Sequence, residues 1–393
     1  MLRRELEAWG SDSCAIPHAT AAAIEGAGLV DVAAEPGLDR WRLKAGSKVG
    51  VAVGDGWEVR VHPRISVPEL LFLLSYVIDP KGWRDQEADF ADSEDLFDAI
   101  SHAFSLQATR VLARGPLRGY VEFDDRLPYV RGRIRFADQI ARAVLPSPIE
   151  VSFQEFTADV PENRILMAAT LALLRLPRVP ALPRRRLLAI RATLDGVEPL
   201  ARPAEVALPT FTRLNEHYRP SLSLAALILR AHSLRGVRGS TRGATFVFDM
   251  NRVFEDFLSV ALREALAHHG GEVRLQGAGH LDRDGQVDIT PDIRWVKGGR
   301  TAAVVDAKHK RLEASGPPNE DVYQMLAYCT SLGLPVGYLV YAHDPKVVAG
   351  DLRILNSDCE VRVRTVDLTG RPEQVLRSVA NLAAGIAGQP IAA

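Results

Sequence analysis

The segment ITPDIRWVKGGRTAAVVDAKHK, residues 289–310, constrains this chain more than any other stretch. Two β-forming runs, Asp288–Trp295 and Thr301–Lys308, flank the turn residues Lys297, Gly298 and Gly299. Such runs joined by a tight glycine turn form a hairpin. The hairpin brings Asp292 and Asp306 together at the open end of a sheet. Side chains alternate along a strand, so Asp306 and Lys308 point the same way. Two carboxylates and one ammonium therefore converge on one point.

That set suits phosphodiester hydrolysis. Mg²⁺ takes oxygen ligands and keeps several waters, and Asp292, Asp306 and the Ala307 carbonyl can supply such ligands. A bound cation polarises the phosphate and acidifies its water. Lys308 can position that water or stabilise charge on the phosphate. Mn²⁺ favours the same oxygen donors.

Two further elements fit the pattern. Glu255, in an expected helix Met250–His268, shares a face with Asn251, Leu258 and Leu262. A carboxylate on a largely apolar face needs a partner, and a metal site would be one; the helix dipole is the alternative explanation. Gln324 and Tyr328 lie one turn apart on an expected helix Asn319–Leu332 and can face a phosphate, or merely pack. Asp-x-Lys alone is weak, because a salt-bridged pair on an exposed strand has the same spelling. The order of all these elements together is what carries weight.

Composition narrows the rest. With 393 residues, about two or three domains are expected. A net charge of −1 gives no global basic signature, so any DNA contact must be local. Cys14, Cys329 and Cys359 lie far apart, which excludes a disulfide framework and disfavours structural zinc. His280, His309 and His343 lack HExxH or HxH spacing. No GxxxxGK[ST] loop is present, so the chain is not expected to hydrolyse a nucleoside triphosphate itself. The start, MLRRELEAWG, lacks an apolar signal core, and the runs Leu70–Ile78 and Ile165–Leu174 are too short to span a bilayer. The expectation is a cytoplasmic protein without membrane contact.

Three sequential blocks are expected. Residues 1–115 read as a short helical stretch, a small β-meander of Arg40–Leu43, Val49–Val53 and Trp57–His62, then helices. Asp85–Asp98 is an acidic run. Residues 116–243 mix strands, Gly119–Phe123, Tyr129–Phe136 and Ile149–Phe156, with helices at 162–175, 184–195 and 220–235. Arg131, Arg133 and Arg135 would alternate on one strand face, there to meet phosphate, a partner or only solvent. Arg184, Arg185 and Arg186 could likewise touch phosphate or protein, or form a solvated helical turn. Arg235–Gly243 is the best linker candidate, and residues 244–393 follow as a compact α/β domain.

The ordered set Glu255, Asp292, Asp306-Ala307-Lys308 and Gln324/Tyr328 resembles the PD-(D/E)xK nuclease superfamily, and the last pair its RecB-like branch. A closer resemblance is to the McrC family, the nuclease subunit of McrBC-type modification-dependent restriction systems. Phe248-Asp249-Met250-Asn251 through Phe254-Glu255-Asp256-Phe257, Asp159-Val160-Pro161-Glu162-Asn163-Arg164-Ile165-Leu166, Val130-Arg131-Gly132-Arg133-Ile134, Tyr218-Arg219-Pro220-Ser221-Leu222 and Asp321-Val322-Tyr323-Gln324-Met325 carry it. It covers about residues 120–345.

The resemblance implies a multidomain α+β and α/β chain. A β-rich and helical N-terminal partner-binding region would precede a C-terminal restriction-endonuclease-like α/β domain. It also implies a hexameric McrB-like AAA+ GTPase as partner, with GTP used by that partner, and double-stranded DNA containing a 5-methylcytosine-type base as substrate. The catalytic positions would be Asp292, Asp306 and Lys308, joined by Glu255 and Gln324. Two rival functions stand beside this one: an autonomous RecB-like exonuclease or repair nuclease using the same site, and a non-catalytic activator of the GTPase, against which the intact Asp292, Asp306 and Lys308 set argues.

Overall fold

The computed structural model describes residues 2–37, 39–80, 95–141, 147–176, 179–200, 206–233, 244–310, 316–342 and 350–388. The acidic run up to residue 94 and the linker candidate at 235–243 lie outside them. The chain divides into two compact units, one built from residues 1–99 and 234–393, the other from 100–233.

This division differs from three sequential blocks, and one strand explains why. Ala244–Asp249 pairs antiparallel with Lys48–Gly54, from Ala244 opposite Val53 to Asp249 opposite Lys48. Lys48–Gly54 forms a hairpin with Trp57–His62, and Leu2–Glu7 adds a parallel strand at its far side. Leu2–Glu7 is thus a strand, where its helix-prone composition suggested a helix. Leu6 is buried, and burial alternates along most of the strand; tertiary pairing overrides local propensity here. The expected meander is also divided. Arg40–Ala45 sits between Ser11–Ala15 and Val30–Ala34 in a separate antiparallel sheet.

Helix Val67–Ile78 begins with a capping box between Ser66 and Glu69. Its aromatic residues Phe72 and Tyr76 pack edge-on against Phe257 of helix Met250–Ala267. The Tyr76 hydroxyl donates to Glu264 at 2.7 Å. Apolar burial and these ring contacts join the first hundred residues to the C-terminal part.

The C-terminal part is a six-stranded mixed sheet. Its order is Glu272–Leu275, Ile293–Lys297, Arg300–Lys308, Val336–Ala342, Glu360–Val366 and Asp351–Arg353. The outer pairs are antiparallel, while Arg300–Lys308, Val336–Ala342 and Glu360–Val366 run parallel. Met250–Ala267 packs on Arg300–Lys308 and against helix Pro372–Ile386. Helix Asn319–Leu332 packs through Met325, Tyr328 and Cys329 against Val304, Leu339 and Val361. Parallel strands are covered by helices because both their faces are apolar.

In the second unit, Gly119–Leu127 pairs antiparallel with Ile149–Thr157, whose other edge carries the short strand Arg133–Ile134 among the described residues. The expected strand Tyr129–Phe136 is therefore mostly irregular. Gly132 adopts φ 71°, and a Cβ there would collide with the Ser152 carbonyl. From Phe136 the chain turns into a helix to Ala141. Helices Pro161–Leu174, Ala181–Thr193 and Arg219–Ala231 supply the core of this unit. Asn163 donates to the carbonyls of Leu117 and Ala158 at 2.8 and 2.7 Å. The Tyr218 hydroxyl accepts from the Leu117 N–H at 2.8 Å. Both residues therefore anchor the half-buried backbone at Leu117.

Candidate active site

The hairpin of Ile293–Lys297 and Arg300–Lys308 turns through Gly298 and Gly299, both at positive φ. Its register pairs Ile293 with Val305. One further step places Asp292 across from Asp306, as expected from the sequence. The Ala307 N–H donates to Oδ2 of Asp292 at 2.8 Å, which clips the two strand ends together.

Asp306 is 2% exposed. Its Oδ2 lies 2.6 Å from the Lys308 ammonium yet accepts no well-directed hydrogen bond. The salt-bridged pair foreseen as the simple alternative thus exists, but on a buried strand rather than an exposed one. Burial lifts the Asp306 carboxyl above its usual range, against the opposing pull of Lys308. Burial, and then the charge of Asp306, push Asp292 up to about 7. A low-dielectric site holding two facing carboxylates opposes their joint ionisation.

Lys308 also donates to Oε1 of Gln324 at 2.9 Å. The Gln324 amide donates to the Tyr328 hydroxyl at 2.8 Å, and that hydroxyl donates to the Thr290 carbonyl at 3.2 Å. A continuous chain of hydrogen bonds thus runs from the ammonium back to Thr290, two residues before Asp292. Tyr328 is buried, and its phenol is pushed up to about 12 by burial and by the charges of Asp306 and Asp292.

Glu255 stands apart from this chain. Its Oε1 accepts from the Gln276 amide at 3.1 Å, and its charge contributes to raising Asp292. Leu258 and Leu262 on its helix are buried, whereas Asn251 is exposed.

Three residues escaped the sequence reading. Asp321 is buried and accepts from Tyr341 at 2.5 Å and from Lys310 at 2.9 Å. It lies 3.9 Å from Lys308. Its spacing from Gln324 and Tyr328, three and seven residues, was the available signal, since those positions share a helical face. Nothing local marked Lys310 or Tyr341.

The arginine candidates all belong to the other unit. Arg131 lies outside any strand, with its guanidinium 3.9 Å from the Phe153 ring centre and 3.4 Å from Glu155. Arg135 pairs with Asp138 at 2.5 Å and Asp124 at 3.4 Å. Arg133 is exposed beside Glu122 and Asp124. These three do not form one strand face. Arg184 and Arg185 are exposed on the first turn of Ala181–Thr193, while Arg186 is half-buried.

Among the described residues no three His, Cys, Asp or Glu side chains form a metal cage. A pair of carboxylates with a backbone carbonyl is instead the donor set of a hard cation that retains waters. Excess negative charge around Asp306, and its undirected buried oxygen, fit that cation.

A family model described as the McrBC 5-methylcytosine restriction system component matches residues 43–342. The chain belongs to this family. None of the curated proteins matches it. Among solved structures, a chain of the refined half-complex from the tetradecameric assembly of Thermococcus gammatolerans McrB AAA+ hexamers with bound McrC is similar. It is 21% identical with a TM-score of 0.59, and the match covers 91% of this chain and 86% of that one. A chain of the Thermococcus gammatolerans McrBC complex, also 21% identical, matches 67% of this chain and 88% of its own length at TM-score 0.42. McrBC membership agrees with the McrC resemblance of the motifs. No helix among the described residues is long and apolar enough to cross a membrane.

Proposed function

We propose that this chain is the nuclease subunit of a modification-dependent restriction complex, cutting DNA by metal-assisted phosphodiester hydrolysis. The observation that carries this reading is the half-buried Asp292 opposite the buried Asp306, with Lys308 at 2.6 Å from Asp306, at the open end of the hairpin. Perturbed carboxylates held together by burial and a neighbouring charge are a recurrent feature of functional sites.

Asp292, Asp306 and the Ala307 carbonyl would hold Mg²⁺ or Mn²⁺. When bound, the cation supplies Lewis acidity toward the phosphate and lowers the pKa of its water. Lys308, held by Gln324 and through it by Tyr328, presents its ammonium to the attacking water or to the developing negative charge. Asp321 keeps a second negative charge 3.9 Å from the Lys308 ammonium. Glu255 adds negative charge on the Asp292 side.

A McrB-like AAA+ GTPase is the proposed partner, on the strength of family membership and of the McrB hexamers with bound McrC in the similar assembly. GTP is used by that partner, which also selects the modified base. Double-stranded DNA is the substrate.

The test is plasmid cleavage with Mg²⁺ on methylated and unmethylated DNA, with and without the partner and GTP. Cutting that needs partner and GTP and disappears in Asp306→Ala is the expected result. Cutting by the chain alone would make it an autonomous nuclease. GTPase stimulation without any Asp306-dependent cutting would make it an activator only.

A further inference from the structure

Gln276 follows strand Glu272–Leu275 and adopts φ 44°. A left-handed backbone costs an L side chain free energy that glycine escapes. Such conformations gather at functional sites. Gln276 is exposed, so burial of its own side chain does not offset the cost.

Two hydrogen bonds use this conformation. The Gln276 N–H donates to the Asp292 carbonyl at 2.9 Å. Its side-chain amide donates to Oε1 of Glu255 at 3.1 Å. One strained residue therefore ties the helix that carries Glu255 to the segment that carries Asp292. At its neighbour Gly277 a Cβ would require the Arg294 guanidinium to move.

We propose that Gln276 is a positioning residue of the cation site, its amide holding the Glu255 carboxylate beside Asp292 as an outer ligand. Glycine at 276 would remove the strain and keep the backbone bond, but leave Glu255 free to turn to solvent. Mg²⁺ and Mn²⁺ retain waters, so a carboxylate in that position acts through them. Outer-shell partners of this kind typically change metal affinity by about 10–100-fold. The proposal rests on reading Asp292 and Asp306 as a cation site.

The experiment is Mn²⁺ titration of the full chain by calorimetry, with thermal unfolding of the metal-free proteins in parallel. Asp306→Ala should lose Mn²⁺ binding. Gln276→Gly should bind about tenfold more weakly while melting at or above the wild-type midpoint. In a Glu255→Ala background the same glycine should cost no further affinity, because the two residues act as one. Wild-type affinity in Gln276→Gly, or an equal loss with and without Glu255, would overturn the proposal while the cation site stands. Undiminished binding in Asp306→Ala would overturn the cation site itself and this proposal with it. Should Gln276→Gly fold poorly, Gln276→Asn tolerates the same backbone and carries an amide one methylene shorter. Loss of affinity only in step with loss of stability in both variants would make Gln276 merely structural and refute its role.

Discussion

Asp292→Asn should make the metal-free protein more stable at neutral pH while removing the proposed cation site. The folded carboxyl lies at about 7 against an ordinary value of 3.8. Folding thus favours the protonated form. The associated stability is full below about pH 4 and is lost as pH rises through 7. Lifting the carboxyl this far corresponds to about 4 kcal/mol once pH exceeds 7. Asparagine keeps an oxygen for the Ala307 N–H and carries no charge. Denaturation in EDTA at pH 8 should therefore favour Asp292→Asn by up to about 4 kcal/mol, and at pH 5 by less than half of that. Added Mg²⁺ should stabilise the wild type, through binding to the native state alone, and leave the variant unmoved. The transition that Mg²⁺ shifts identifies the unit concerned. An asparagine variant less stable than wild type at pH 8, or a difference that does not fade by pH 5, would refute the account of this carboxylate pair.

Three other outcomes follow from packing. Gly337→Ala drives a Cβ into the sulfurs of Met325 and Cys329; it should cost about 1–3 kcal/mol in denaturant titration and slow cleavage, because Gln324 and Tyr328 ride on the displaced helix. Tyr341→Phe strips the buried Asp321 of its hydroxyl donor and should cost about 1–3 kcal/mol by the same assay. Residues 244–393 expressed alone should show no cooperative thermal transition. Phe246 and Phe257 are fully buried against Phe97, Phe72 and Tyr76, and each buried phenylalanine is worth about 1.5–3 kcal/mol.

The hairpin, the helix Asn319–Leu332 and the convergence of Asp292, Asp306, Lys308, Gln324 and Tyr328 could be read from the residues, because period and spacing are local signals. Leu2–Glu7 could not. Its letters favour a helix, and only its partner Trp57–His62, some fifty residues away, makes it a strand. The arginines at 131, 133 and 135 showed strand alternation, yet the left-handed Gly132 and its contact with Ser152 break the run. Asp321 was visible only as a helical neighbour of Gln324. Gln276 carried no motif, because its importance lies in a backbone angle and two long-range bonds.

The pairing of Ala244–Asp249 with Lys48–Gly54 also sets a timetable for the chain as it is made. Synthesis proceeds from the N-terminus, and sequential segments usually fold as they emerge. Here Lys48–Gly54 must wait with an open edge until nearly two hundred further residues have been added. Asp292 and Asp306 both lie beyond that point. A ribosome that stalls early therefore releases a fragment that lacks both this closing strand and the aspartate pair of the proposed cation site.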